Sequence, residues 1–418
     1  MRLPRELDVL RLRDFRLVFG AAAASFVGDG VVPVALAFAV LDLTGSATDL
    51  GIVLAARAVA LVSSLLIGGV VADRLGPKNV MVAADLLRLG AQTAIAVLLI
   101  GGRATIAEIA ISQALIGIGT GLFNPASSGL LPRVAGEDLQ QANSLKGMAM
   151  AAGNIVGPAI AGVLVVATGA GEAMLIDAAT YGVSALLLVR VRVDTGATVA
   201  RQRFVGELRE GFAEVRKRTW VWSIIASAAL WNMLAGFTVL GPLVAKRSLG
   251  GPGAWAAILA AEGVGFLIGG VTLLRVAPRR PLVLATAASA TAVIPTLLLA
   301  IPAPLATIVA ASLAAGISST LFNTLFETML QQHIPRHALS RVSSYDWFGS
   351  LALQPVGLAL MGPLAAGVGL SAALYLCAGL KLLSLAALVA VKDIRTLGPA
   401  PDGAPTPVEA APLRPTGS

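Results

Sequence analysis

The sequence predicts an all-α membrane protein: twelve spanning helices in two six-helix bundles that repeat one another in parallel. Three observations lead there. Of the 418 residues, 56% are hydrophobic and only 13% charged, with a mean hydropathy of +0.83, whereas soluble domains carry about 45–50% apolar and about 25% charged residues. Runs of roughly 20 apolar residues, enough to cross a bilayer as a helix, recur between short polar or Gly/Pro breaks. The positive charge, +8 overall, falls in alternate breaks.

Taken in order, Arg2, Arg5, Arg11, Arg13 and Arg16 mingle with Glu6, Asp8 and Asp14 ahead of an apolar run too long for a signal-peptide core, so the first span is expected to stay in the chain. The breaks LTGSATD, DRLGPK, GGR, PRVAGED and TGAG then delimit spans at 15–42, 47–73, 78–101, 105–131, 138–168 and 171–190. Beyond a long polar break, SLGGPG, APRRP, IPAP, IPRHALSR and GVGL delimit spans at 220–247, 253–275, 281–301, 304–331, 341–368 and 370–391. The longest imply tilt. The polar break at 193–219 places Phe204, Leu208, Phe212 and Val215 at helical spacing among charges, the pattern of an amphipathic helix lying on a membrane surface. Four segments result: an N-terminal bundle (1–192), that linker (193–219), a C-terminal bundle (220–393) and a Pro/Gly-rich tail (394–418) expected to be disordered.

With the N-terminus inside, Arg74, Lys78, Arg133, the cluster from Arg190 to Arg218, Arg275, Arg279, Arg280, Arg336, Arg341, Lys392 and Arg395 face the cytoplasm, against Arg103, Lys246 and Arg247 outside. Excess Lys and Arg in inside loops predicts cytoplasmic termini in a plasma or inner membrane. The basic charge is thus topological and does not indicate nucleic-acid binding. The single cysteine, Cys377, excludes an internal disulfide and reads as a small packing residue.

The halves align at an offset of about 200 residues. Leu122, Phe123 and Asn124 meet Leu321, Phe322 and Asn323; Leu139, Ser144, Gly157 and Gly162 meet Leu339, Ser344, Gly357 and Gly362; LIGGV at 66–70 returns at 267–271. Helix order and direction agree, which makes this a parallel duplication.

A six-plus-six parallel repeat is the arrangement of the major facilitator superfamily, with a substrate site near the midplane between the halves. GGVVADRLGPK at 68–78 resembles that family's signature between helices 2 and 3, with Gly69, Asp73, Arg74, Gly76 and Lys78 in place and Pro77 where a basic residue is usual. Gly69 is expected to let helices approach, and Asp73 to face the start of helix 11 near Ser340. In the second copy Leu274 replaces Asp73. GNIVGPAIAG at 153–162 resembles the helix 5 motif of antiporters, with Gly153, Gly157, Pro158 and Gly162; its small residues suit either tight packing or a rocking interface. With RDFRLVFG, LTGSATDLG, FNPASSGLLP and RVSSYDWFGS, these motifs resemble the twelve-helix drug:proton antiporter branch, which includes macrolide and enterobactin-type siderophore exporters. The resemblance implies efflux of amphipathic small molecules in exchange for protons by a monomer in a lipid bilayer. Many such relatives place an arginine implicated in proton transfer where this chain has Gln113.

The polar residues left in the spans are the candidate site. There is no GxxxxGK[ST] loop for a nucleotide, and GIGTG at 117–121 follows no strand. His333 and His337 lack a third ligand nearby, so no cofactor or metal is expected and a gradient must supply the energy. Asp29, about 12 residues after Leu17 and hence roughly 18 Å into the membrane, is the foremost proton-carrying acid. Arg57 is placed to pair with it, either as a static clamp or as a pair that substrate and proton compete to break. Glu262 is the second-half counterpart.

Gln113, Asn154, Trp231, Asn232 and Gln354 sit at intermediate depths as substrate-cavity candidates or helix bridges. Asp85, Arg88, Asp177 and Lys381 fall on helices peripheral in the family, where local pairing or snorkelling is expected. Glu327, about 22 residues into helix 10 and roughly 33 Å from Leu305, suits a cytoplasmic gate or an ion pair with Arg341. Two further functions remain open: proton-coupled nutrient uptake, for which a more polar cavity is expected, and a transport-inactive receptor.

Overall fold

A computed structural model describes residues 9–192, 212–273, 278–301 and 303–399. Among them, twelve helices are long and apolar enough to cross a membrane. They are α1 (Arg13–Thr44), α2 (Ala47–Leu75), α3 (Pro77–Ile100), α4 (Ile106–Ala135), α5 (Leu139–Ala167) and α6 (Ala170–Val189), then α7 (Thr219–Leu249), α8 (Pro252–Leu273), α9 (Pro281–Ala300), α10 (Leu305–His333), α11 (Arg341–Val368) and α12 (Leu370–Ala390). Most of the linker, Arg275, Leu274 and the tail beyond 399 lie outside the described residues, as do the side chains of His337 and Ser340.

Local chemistry sets the turns. Gly45 ends α1 at φ 65°, and Ser46 caps α2 by accepting the Asp49 amide at 3.2 Å. Gly76 adopts φ 81° and Pro77 opens α3. The left-handed region that only glycine enters cheaply is thus followed by a residue preset for a helix start, which explains the Gly-Pro pair in DRLGPK. Thr105 and Glu108 form a reciprocal capping box at α4. At the entry to α7, Glu214 binds Lys217 at 2.7 Å and Arg218 at 2.6 Å. Hydrogen bonds from Lys217 and then Arg218 hold its carboxyl down at about 2.

Helices α1–α6 pack mainly on one another, as do α7–α12; the bundles meet chiefly through α5 on α8 and α2 on α11. Where they meet is the informative point. One hydrophobic core joins both bundles on the side away from the chain termini, with Val34, Phe38 and Leu50 alongside Val239, Leu240 and Met361. On the termini side there are two separate cores, Phe15 to Leu188 in the first bundle and Trp220 to Leu388 in the second. Glycines set the joint: Gly51 lies against Leu358, Gly362 against Thr48, Gly263 against Asn154 and Gly162 against Ala256. Lys246 adds an ion pair to Asp42 at 2.7 Å and a hydrogen bond to the Leu41 carbonyl at 2.6 Å. The bundles are therefore closed together on the side opposite the termini and parted on the termini side.

The first bundle keeps α1, α4 and α5 continuous despite Pro33, Pro125 and Pro158. In the second, three spans are interrupted: α7 at Leu234 and Ala235, α9 by a 3-10 turn at Ala290–Val293, and α11 around Ala352 and Leu353. Broken backbone at membrane depth is tolerated where it is buried in protein or lines a cavity.

Candidate functional site

The segment FVGDGVV in α1 shows why Asp29 sits where it does. A Cβ on Gly28 would come within 2.5 Å of Asp177 Oδ1 in α6, and one on Gly30 would strike the Gly153 carbonyl in α5. Each glycine costs a helix about 1 kcal/mol relative to alanine, a penalty offset by contact with a different neighbour on each side. Asp29 is thereby left to point towards α2. There its Oδ1 lies 3.8 Å from Arg57 and accepts the Tyr181 hydroxyl at 3.0 Å. With 34% of the Asp29 side chain and 23% of the Arg57 side chain exposed, the pair is reachable from outside the bundle.

Behind that pair lies a sealed polar network. Arg57 donates to Gln113 at 3.5 Å, Gln113 to Gln92 at 3.4 Å and Gln92 to Asp177 at 2.7 Å. On the other flank, Arg88 pairs with Asp85, which also accepts from Ser184 at 2.6 Å. The Arg88 guanidinium is sandwiched between the rings of Phe123 and Tyr181, 4.4 Å from each centroid, contacts worth about 0.5–2 kcal/mol apiece. Asp85, Arg88, Gln92, Gln113, Asp177 and Tyr181 are all buried. The local pairing expected of Asp85, Arg88 and Asp177 is only part of the picture, since α3 and α6 carry their side chains inward to the Asp29 pair. Gln113 belongs to this network and lines no cavity in the second bundle.

The second bundle holds a cavity where the first holds this network. A cavity of about 200 Å³ is lined from all six of its helices, including Trp231, Asn232, Glu262, Ser312, Gln354 and Lys381. The interruptions in α7, α9 and α11 all reach its wall through Leu234, Ala292 and Gln354. Lys381 is buried, with its ammonium 4.5 Å from the Trp231 ring centroid. That corrects the peripheral placement of Lys381: α12 stands outside, but a long side chain crosses to the interior. The repeat explains the void. In the aligned repeats Gln92 is matched by Ala292 and Gln113 by Ser312, so small residues of the second bundle stand where the first has long amides.

The remaining expected positions scatter. Asn154 is exposed, and its carbonyl rather than its side chain faces Gly263 across the joint. In the loop signature Gly69 meets nothing a Cβ would touch; the close approach is made by Gly68, against Gly121, Leu122 and Pro125 in α4. One residue is a rotation of about 100° on a helix, enough to exchange the two roles. Asp73 and Arg74 are exposed, and Lys78 donates to the Val191 carbonyl at 2.7 Å within its own bundle. The segment Arg336–Leu351, which leads into and begins α11, packs mainly on α7 of the second bundle. Glu327 is exposed and Arg341 half-buried. Gly153 and Gly157 face Phe26, Val27 and Gly30 of α1, whereas Gly162 is the glycine of the helix 5 motif that faces the other bundle.

Among known proteins, the profile described as Major Facilitator Superfamily matches residues 18–351. The chain is 29% identical over 373 residues to the multidrug efflux pump Tap of Mycolicibacterium fortuitum, covering 85% of this chain and 90% of that one. It is 27% identical over 398 residues to the pump of the same name from Mycobacterium tuberculosis, covering 89% and 93%. Among solved structures, the nucleoside transporter NupG superposes with a TM-score of 0.75 at 15% identity over 90% of this chain and 98% of its own. A peptide transporter POT in complex with sulfate gives 0.73 at 15% identity over 93% and 96%. At such identities these two speak for the fold alone.

Proposed function

The chain belongs to the Major Facilitator Superfamily, and from that premise we propose that it exports amphipathic small molecules carrying positive charge, in exchange for protons. The similarity to multidrug efflux pumps over most of both chains supports export. The observation that carries the reading is the Asp29 site: a carboxylate deep in the membrane, shared by Arg57 and Tyr181 and still partly open. A carboxylate so placed can exchange a guanidinium for a ligand cation, which no neutral polar cavity does.

The sidedness of the basic residues supports cytoplasmic termini in a plasma or inner membrane. The state described here, parted on the termini side, is then the one that loads substrate from the cytoplasm. Rocking about the α5–α8 and α2–α11 joints would open the outer face, with the DRLGPK loop and α11 meeting only in that second state. Gly69, Asp73, Arg74, Gly76, Lys78, Glu327 and Arg341 would act at this inner gate. Trp231, with Leu234, Phe237 and Leu358, would receive the ligand's apolar part in the second bundle, and Asn232, Glu262 and Gln354 its polar groups.

Cells expressing the protein and preloaded with ethidium test the reading. Energised cells are expected to extrude the dye faster than vector controls, and a protonophore to abolish the difference; extrusion that survives the protonophore would rule out proton coupling. Trp231→Ala should weaken dye affinity by about 1–3 kcal/mol if the ring stacks on the ligand, read as a rise in the half-saturating concentration. Unchanged affinity would remove Trp231 from the site.

A further inference from the structure

The network of the first bundle does not balance its charge. It holds three acids, Asp29, Asp85 and Asp177, and two guanidinia, Arg57 and Arg88. Arg88 is committed to Asp85 and Arg57 lies against Asp29. Asp177 is left with the Gln92 amide on Oδ2 and, among the described residues, no hydrogen-bond partner on Oδ1, which is buried against Gly28. An ionised carboxylate sealed in a bundle interior without a cation is far more costly than a neutral carboxylic acid in the same place.

We propose that Asp177 is a proton-binding site, occupied in this state, and that it rather than Asp29 holds the exchangeable proton. The groups that face it or the network it joins are Asp29 from α1, Arg57 from α2, Asp85, Arg88 and Gln92 from α3, Gln113 from α4 and Tyr181 on its own helix α6. With the proton on Oδ1, all charges pair: Asp29 with Arg57, Asp85 with Arg88. A ligand cation arriving at the partly open Asp29 displaces Arg57. The guanidinium, joined to Asp177 through Gln113 and Gln92, then has no acid of its own. Ionisation of Asp177 restores neutrality, with Asp29 facing the ligand, Arg57 compensating Asp177 and one proton leaving. One cation in and one proton out is the stoichiometry of exchange. This coupling step rests on the exporter reading above; the proton on Asp177 does not.

Infrared difference spectroscopy on the purified full-length protein at neutral pH, with no ligand, tests the site. The C=O stretch of a protonated carboxylic acid is expected in wild type and absent from Asp177→Asn. A wild-type minus Asp177→Asn difference lacking that band would overturn the proposal. Should Asp177→Asn fail to fold, Gln92→Ala retains the acid but removes the donor to its carbonyl oxygen, so the band must shift; an acid band that Gln92→Ala leaves unmoved would equally overturn it. The coupling is read separately, by titrating tetraphenylphosphonium into weakly buffered protein with a pH dye: one proton per bound cation in wild type and none in Asp177→Asn. The infrared band without proton release would leave the Asp177 site standing and remove the exchange reading.

Discussion

Asp29→Asn is expected to abolish cation-coupled proton movement while leaving a folded, inserted protein. The substitution keeps an acceptor for the Tyr181 hydroxyl and removes the charge that opposes Arg57. Because both members of the pair are partly exposed, the stability loss should stay near about 1–3 kcal/mol, seen as a fall of a few degrees in Tm. Binding of a lipophilic cation should fall by tenfold or more, since loss of one charge-assisted contact is worth about 1.5–3 kcal/mol. Retained coupling in a well-folded Asp29→Asn protein would show that the ligand's charge is received elsewhere, with Glu262 the next acid in line.

The second large effect separates two roles within one helix. Gly157→Val should destabilise the first bundle, because a Cβ there would lie 2.5 Å from the Gly30 backbone in α1. Overpacking typically costs about 1–3 kcal/mol, and a collision with backbone belongs at or above the top of that range. Gly162→Val should leave the bundle intact and instead wedge α5 from α8, where its Cβ would meet that of Ala256 at 2.5 Å. The expected result is a normal Tm with the outer face held open, measured as greater labelling of a cysteine introduced on the joint, and transport reduced because the return to the described state is blocked. Equal Tm losses in both variants would mean that Gly162 is merely structural.

How much of this was legible beforehand follows from what each signal encodes. Hydropathy reports length and depth, and it places the twelve spans to within a few residues. Depth along a single hairpin is a one-dimensional count, which is why Asp29 and Arg57 could be paired on paper. Azimuth is harder. Gly68 and Gly69 look interchangeable in a string, but one packs on α4 and the other touches nothing. Arg88, Asp177 and Lys381 sit on helices that are peripheral as cylinders, and only side-chain reach brings them inside. A signal was available in the repeat: Gln92 and Gln113 against Ala292 and Ser312 forecast a cavity in the second bundle where the first holds long amides. The interruption in α11 had a cue in Pro355, in the first turn after its break, whereas Pro242 lies away from the α7 break at Leu234 and Ala235.

The most direct test of the whole account is cation movement in proteoliposomes holding the purified protein, with an imposed pH gradient and no other energy source. An acidic lumen should drive tetraphenylphosphonium inward against its concentration gradient while protons leave, in wild type but not in Asp29→Asn or Asp177→Asn. Cation and proton moving in the same direction, or cation uptake indifferent to the pH gradient, would contradict exchange at the Asp29 site.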